Sequence, residues 1–492
     1  MEKLLCAEHR PNKGEATQAG QSPPSMDSLT ISILDNDKSF QKLEKHWKDL
    51  ENRAPTTIYM SFDWTYTWWK HYGHHKSRMP HLVTIWDKKK IIAIAPFYKG
   101  YTCLGTRVIA TRMQLIGSGG SKNEQLGFKN DYGISDFLDV LVDHDYREKA
   151  AVLLAEYLIN HLPGLNQLTF HQIRDDSYVF THLLPLLLKT GLDIRVRISD
   201  KCPYIDLNNF STLEDYLLSL RSSVRRRFRK TLRATGVAIV PSNADPEAGQ
   251  MEIVTPLTEE EIHKSVDNLI ALHQARWNRL GYPGVFSDER FIRFFKDTVA
   301  YCRANGWLWL KEVRDSDGVS SVRMLIRYKS FYYDYMSGFD DLCSMSKNRP
   351  GIGLILIAIN DAIASFQGKE SVPNIIELLR GEEPYKYDFT SCYRLNFKIT
   401  VEYRRFATIW EVLVYKCINI LALLVGFFLK ESKIVETHHK EHGLFAAPYR
   451  YMLFRKSSLA KKYDAFRRSH RTVEKIVFAD KKNHDSDPPK HS

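Results

Sequence analysis

WLWLKEVRDSDGVSSVRMLIRYKSFYYDYMSGFDDLCSMSKNRPGIGLILIAINDAIASFQGKESVPNIIELLR, residues 307–380, is the stretch whose reading decides the fold. Trp307–Val313, Ser321–Tyr328 and Phe331–Ser337 alternate or run apolar, which is strand patterning, and turn residues at Asp315–Gly318 and Lys329–Ser330 separate them. A helix is expected from about Pro350 to Gln367: Asn348 stands near the N-cap, Pro350 suits a first helical turn and Gly368 stops it. Asn374–Arg380 reads as the next strand. The order β-β-β-α-β, with a helical crossover to the last strand, implies an α/β fold of the mixed α+β kind.

Upstream, Ser211 and Glu214 have capping-box spacing, and Leu213, Leu217, Leu220, Val224, Phe228 and Leu232 form one apolar stripe, so a single helix is expected over 211–236. A second starts at Thr258 with Glu261 in the box position and carries Ile262, Val266, Leu269, Ile270, His273 and Trp277 on its apolar face. The first half repeats the plan. His81–Asp87 and Ile91–Tyr98 pair across the turn DKKK, then come a strand at Phe137–Val142, a helix at Tyr146–His161 and a strand at Gln167–His171. A helix near Ser177–Lys189 and a strand at Asp193–Ile198 follow. Residues 37–72 read as helical and end in Phe62, Trp64, Trp68, Trp69 and Tyr72, an aromatic cluster of core type. The division expected is a disordered tail at 1–28, two similar mixed α/β halves at 29–200 and 201–405, and a hydrophobic helix with a basic tail at 406–492.

At 492 residues, 43% hydrophobic and 26% charged, the chain is globular in composition, which excludes a disordered, collagen-like or all-membrane protein. The net charge of +12 suits polyanionic partners without choosing among nucleic acid, anionic lipid and phosphorylated cofactors. Half of that excess lies in residues 431–492, and Arg221–Arg233 holds seven basic residues in thirteen. The seven cysteines show no CxxC and no close pair, which points to a reducing, cytoplasmic setting. No signal peptide is read at the N-terminus. IWEVLVYKCINILALLVGFFL, 409–429, is interrupted by Glu411 and Lys416, so a buried or interfacial helix is expected there, with peripheral docking on an anionic inner membrane as one use of the basic tail.

Two motifs carry chemistry. In NRPGIG, 348–353, glycines at a helix start leave backbone N–H groups open to an anion, and Lys347, Asn348, Arg349, Gly351 and Gly353 are the expected phosphate-binding residues, for a nucleotide or coenzyme A. LLRGEEPYKYDF, 378–389, collects charge at the carboxyl end of the crossover strand, where α/β sheets open their clefts. Acyl transfer from a thioester needs a base for the incoming amine or hydroxyl and gains from an acid for the departing thiolate. Glu383, then Glu382, are the candidate bases, and Tyr385 or Tyr335 the acid. His273, Arg276, Trp277, Arg380 and Lys386 are candidate substrate contacts. No GxSxG, Walker or HExxH motif occurs; HHKEH at 438–442 has one zinc-site spacing but lies in a polar tail, so no metal is expected.

FDWTYTWWKHY (62–72), NDYGISDFLDVLV (130–142), LHQARWNRLG (272–281), YYDYMSGFD (332–340), RPGIG and LLRGEEPYK, taken in order, resemble the CelD-like acetyltransferases of the GNAT superfamily, relatives of the FemAB peptidyltransferases. The resemblance spans about 35–405. It implies two tandem GNAT-like domains, each a mixed twisted sheet flanked by helices, and transfer of an acyl group from acetyl-CoA or another acyl-CoA to a small-molecule or glycan acceptor, often in polysaccharide or cell-envelope biosynthesis. The family's phosphate loop usually begins with Gln or Arg, and Asn348 takes that place here. Three alternatives stand beside this reading: a FemAB-type transferase using aminoacyl-tRNA, a nucleic-acid binder, and a non-catalytic membrane-docked protein. A single helix at 211–235, where the tRNA-dependent relatives carry a long helical hairpin, weighs against tRNA, although its arginines keep that alternative open.

Overall fold

The computed structural model describes residues 28–74, 77–104, 107–119, 134–235, 251–316, 318–343, 346–366 and 374–403. Along the first half run β1 (Leu29–Leu34), α1 (Asp37–Lys42), α2 (Glu44–Arg53), α3 (Phe62–Trp68), β2 (Arg78–Asp87), β3 (Lys90–Leu104), β4 (Arg107–Leu115), β5 (Leu141–Val142), α4 (Arg147–Asn160), β6 (Gln167–Arg174), α5 (Leu184–Leu188) and β7 (Asp193–Asp206). The second half adds α6 (Leu213–Ser219), α7 (Ser222–Ala234), β8 (Glu252–Val254), α8 (Glu259–Arg279), α9 (Glu289–Ala304), β9 (Leu308–Asp315), β10 (Gly318–Tyr328), β11 (Phe331–Phe339), α10 (Pro350–Phe366), β12 (Ile375–Glu377), α11 (Lys386–Phe389) and β13 (Tyr393–Glu402).

The expected β-β-β-α-β order is present as β9-β10-β11-α10-β12, and α8 starts with the Thr258–Glu261 capping box. Elsewhere the elements differ from expectation. The helix read over 211–236 is two helices: the capping box is Thr212 with Asp215, the backbone is extended at Leu220, and α7 restarts at Ser222. Ser222 and Ser223 favour a helix start over a helix interior, which is the local reason for the break. The strand read at 137–142 shrinks to Leu141–Val142, and that at 374–380 to Ile375–Glu377.

The strands form a continuous path, β1-β2-β3-β4-β6-β13-β7-β12-β11-β10-β9-β8. β13, the last described strand, inserts between β6 and β7, antiparallel to both. β7 faces β13 through Asp193–Pro203 and β12 through Tyr204–Asp206. The expected join near residue 200 therefore lies inside one unbroken strand, and the last described strand completes the sheet of the first half.

Side chains alternate across a sheet with period two. Val322, Met324 and Ile326 of β10 belong to one buried core, with α8, α9 and the first half's residues. Leu325 belongs to a second core, with α6, α7 and α10. The aromatic cluster is core, as read: Phe62, Trp64, Trp68, Trp69 and Tyr72 are all buried. Ser346–Phe366 is, among the described residues, the one helix long and apolar enough to cross a membrane. Its residues Gly353–Ile359 are all buried, between β9–β11 and the pair α6–α7, so apolar side chains are required all round. The segments 1–27, 409–429 and 431–492, HHKEH included, lie outside the described residues. Among the described residues no cluster of His, Cys, Asp and Glu is arranged to hold a metal.

Candidate active site

β11 and β12 pair in parallel for three residues only, Phe331–Tyr333 against Ile375–Glu377. Beyond that point β12 ends while β11 continues to Phe339, so the sheet opens. A β-bulge lies at the same place: Met324 faces Met336 but Leu325 faces Asp334, and Tyr335 is the extra residue. A bulge leaves a residue outside the ladder and re-aims its side chain. Asp334 and Tyr335 consequently serve different surroundings. Asp334 holds Arg323 (Nη1 to Oδ1, 2.6 Å) in an ion pair that is almost fully buried. Tyr335 packs between Trp64 and Phe295, at centroid distances of 5.3 and 6.2 Å.

The leading end of α10 adjoins the Arg323 side of this opening. A Cβ added at Gly351 would stand 3.6 Å from Ser321 Oγ and 3.9 Å from both Arg323 Nη2 and Phe339. One at Gly353 would meet the methyl groups of Thr235 and Thr231 on α7 at 3.2 and 3.4 Å. Of the flanking residues, Lys347 and Arg349 are exposed and Asn348 is buried. Arg349 has φ +53°, and its carbonyl accepts from the N–H groups of Ile352 and Gly353 at 2.9 and 3.1 Å. Basic α7 thus lies alongside the helix start, its Arg227 paired with Asp388 at 2.7 Å and its Arg229 with Glu214.

The 378–389 loop divides the expected residues into two groups. Glu382 and Glu383 are exposed; Glu382 pairs with Lys201 at 3.2 Å and Glu383 with Lys386 at 3.0 Å. Lys386 is buried and donates to the carbonyls of Leu379 and Arg380 (3.3 and 2.8 Å), so it clamps the loop. Tyr385 contacts Arg323, and burial, with Asp334 nearby, pushes its phenol up to about 12. It stays protonated at neutral pH and can donate a proton.

Arg380 turns the other way, to the first half of the chain. Its Nε is 3.0 Å from Asp136 Oδ1 and its Nη2 donates to Ser135 O at 3.1 Å. The 135–138 loop is fixed by Trp64 Nε1 donating to Ser135 Oγ (2.8 Å) and Leu138 N–H donating to Gln172 O (3.1 Å). Phe137 and Leu379, next to the two partners, have φ of +52° and +58°. Bulky side chains in this region cost roughly 1–3 kcal/mol each, strain that tends to collect at functional sites. The buried hydroxyls of Tyr59 and Tyr335 make no hydrogen bond, although Asp136 and Arg380 act electrostatically on both phenols. Burial raises both phenols well above their usual range. Burial also raises the Asp136 carboxyl, and Arg380 opposes it.

α8 presents the remaining three candidates. His273 packs on Phe286 and Trp277 (5.0 and 5.9 Å), and burial lowers its imidazole to about 4, so it is neutral. The Arg276 guanidinium lies 4.4 Å from the centre of the Phe339 ring, whose edge approaches Gly351. The structure thus brings Arg276, Tyr385 and the α10 start to one side of the opening, and Tyr335 and Arg380 to the seam between halves. It leaves Glu382 and Glu383 at the surface. Sequence reasoning missed Arg323, Asp334, Tyr59 and Asp136. Arg323 and Asp334 carry a signal, being charged residues inside apolar strands. Asp136 and Tyr59 carry none without the tertiary pairing.

Residues 219–387 match the family model described as an acetyltransferase (GNAT) domain. Among curated proteins, none matches the sequence. Among solved structures, FemX is similar over 79% of this chain and 100% of its own, at 8% identity and a TM-score of 0.50. A tandem GNAT protein from the clavulanic acid biosynthesis pathway is similar over 77% and 100%, at 9% identity and 0.37. L-PGS from Bacillus licheniformis is similar over 68% and 86%, at 10% identity and 0.34. The likeness to FemX shows a shared fold.

Proposed function

We propose, from the GNAT acetyltransferase domain that residues 219–387 carry, that this protein is an acyltransferase whose donor is an acyl-CoA held at the start of α10. The observation that carries the reading is the opening between β11 and β12, with the bulge at Tyr335 on its lip. The diphosphate of the donor suits the exposed cations Lys347 and Arg349 beside the α10 start, where Gly351 leaves the side toward Ser321 and Arg323 free of a side chain, while Gly353 lets α7 pack closely against the helix. The thioester then reaches through the opening toward the seam, where an amine or hydroxyl of a small-molecule or glycan acceptor attacks its carbonyl. The carbon–sulfur bond breaks, and the thiolate takes a proton from a neutral phenol, Tyr335 or Tyr385. His273, Arg276 and Trp277 border the outer end of β11 and contact the acceptor or the pantetheine arm. Polysaccharide or cell-envelope biosynthesis in the cytoplasm is the setting that the family resemblance implies.

A thermal-shift panel of acetyl-CoA, longer acyl-CoAs and aminoacyl-tRNA tests this reading. A ligand at a hundredfold its Kd stabilises by about 2.7 kcal/mol. For roughly 330 described residues that is a rise of about 4 °C. Gly351→Val, which places a branched side chain toward Ser321, Arg323 and Phe339, should remove the shift. A shift with aminoacyl-tRNA and none with any CoA thioester would transfer the donor site to the FemAB-type alternative.

A further inference from the structure

We infer that the base which takes the acceptor's proton is Asp136, supplied by the first half of the chain across the seam, and that Arg380 is its positioning residue. This rests on the acyl-transfer reading above. Three observations support it. Asp136 is buried, and Arg380 Nε stands 3.0 Å from its Oδ1, an ion pair that holds the carboxylate in place. Its neighbours include the bulge residue Tyr335 and Tyr59, two buried hydroxyls that are themselves without partners. Arg380, three residues beyond the end of β12, ties Asp136 to the strand end where the sheet opens, the place to which the proposed donor's carbonyl is assigned. Glu382 and Glu383 have neither property: each is in water, paired with a lysine.

The step balances without a further reactant. The acceptor's N–H or O–H proton passes to Asp136 as its lone pair bonds to the thioester carbon; the carbon–sulfur bond breaks; the thiolate receives the proton of Asp136 through the hydroxyls of Tyr59 and Tyr335, each donating as it accepts, so that no free phenolate forms. The products are the acylated acceptor and the free thiol. Burial raises the proton affinity of Asp136 toward the range a base needs at neutral pH. The groups acting on it are Arg380 and Lys386, which lower its pKa, and Asp200 and Glu377, which raise it.

The experiment uses the full chain, acetyl-CoA as donor, hydroxylamine or water as nucleophile, and thiol release as readout, with the acetyl-CoA thermal shift measured in parallel. D136N should lose about 10²–10⁴-fold in kcat while keeping the thermal shift, which also shows that it folds. D136E should recover part of the rate and keep the acidic limb of the pH profile. R380Q should move that limb to higher pH, because the guanidinium that lowers the carboxyl is gone, an effect that a merely structural role would not produce. A D136N protein within threefold of the parent, or an E383Q or E382Q protein that loses more than D136N, overturns the inference while leaving the donor site standing. No thermal shift with acetyl-CoA in the parent chain refutes the donor reading itself, and the inference falls with it.

Discussion

Gly338→Ala tests a close helix-to-sheet contact behind the site. Gly338 lies on β11, and a methyl there would stand 2.5 Å from Leu269 O and 3.0 Å from His273 N, both backbone atoms of α8. Flexible side chains can yield to such an intrusion; a helix backbone cannot without moving as a body. Restoring ordinary contact requires α8 to retreat by about 0.5–1 Å, and a gap of that size forfeits a quarter to a half of each dispersion contact it opens. Ile262, Val266 and Leu269 are the buried residues that lose those contacts. Overpacking of this kind costs about 2–3 kcal/mol. With an unfolding entropy of roughly 0.7 kcal/mol/K for some 330 residues, the melting temperature should fall by about 3–4 °C. Differential scanning calorimetry measures it, with Gly191→Ala as the comparison, since Gly191 has no atom within 4 Å of its added methyl and a positive φ alone. A Gly338→Ala protein that melts within 1 °C of the parent would refute the argument that α8, and with it His273 and Arg276, is held against β11 by the absence of a side chain.

Two further outcomes are expected. His81, buried and bonded to Tyr157 OH at 2.7 Å, has its pKa lowered to about 4 from 6.5, chiefly by burial. The unfolded chain then binds a proton that the native one refuses as pH falls from 6.5 toward 4, so stability declines in that window, by about 2 kcal/mol between pH 8 and pH 5; in His81→Gln, chemical denaturation at the two pH values should show that part of the decline gone. Arg380→Gln leaves Asp136 buried without its cation and should cost roughly 3–5 kcal/mol, whereas Arg380→Gln with Asp136→Asn should recover more than half of that loss in urea titrations. Equal losses in the single and double variants would mean that Arg380 acts through packing alone.

The two halves of the site differ in how far the sequence discloses them. The side proposed to hold the donor is local: three strand patterns, a proline at a helix start and two glycines lie within fifty residues of one another, so period and spacing are enough to order them. α9 and β13 were equally open to this reasoning and were missed. Phe291, Phe294, Phe295, Thr298, Val299 and Cys302 repeat at helical spacing behind the Asp288 cap, and Leu395, Phe397, Ile399 and Val401 alternate. The bulge was not legible, since one unpaired residue in an alternating strand leaves its composition unchanged. Yet that bulge decides which of Asp334 and Tyr335 meets Arg323. The loop glutamates drew attention because they are acidic and adjacent to the strand end. Adjacency in sequence carried no information about burial, and two neighbouring charges on a short turn are most easily accommodated by water and lysines.

The seam explains why its residues were invisible. Asp136 and Arg380 lie on different halves, and what brings them together is β13 inserting between β6 and β7, which makes one sheet of two. An isolated second half would present the opening and the α10 start on one face, with Tyr335 on the other facing no partner from α3 or the 135–138 loop. The strained backbone at Phe137 and Leu379 points the same way. Each residue precedes or follows one member of the ion pair, and neither lies in a tight hairpin that would require a positive φ for connection alone. Holding a carboxylate and a guanidinium at that spot costs the fold conformational energy on both sides of the seam. The buried ion pair offsets part of that cost, and under the acyl-transfer proposal the same carboxylate would serve as the base that the second half does not hold at this point.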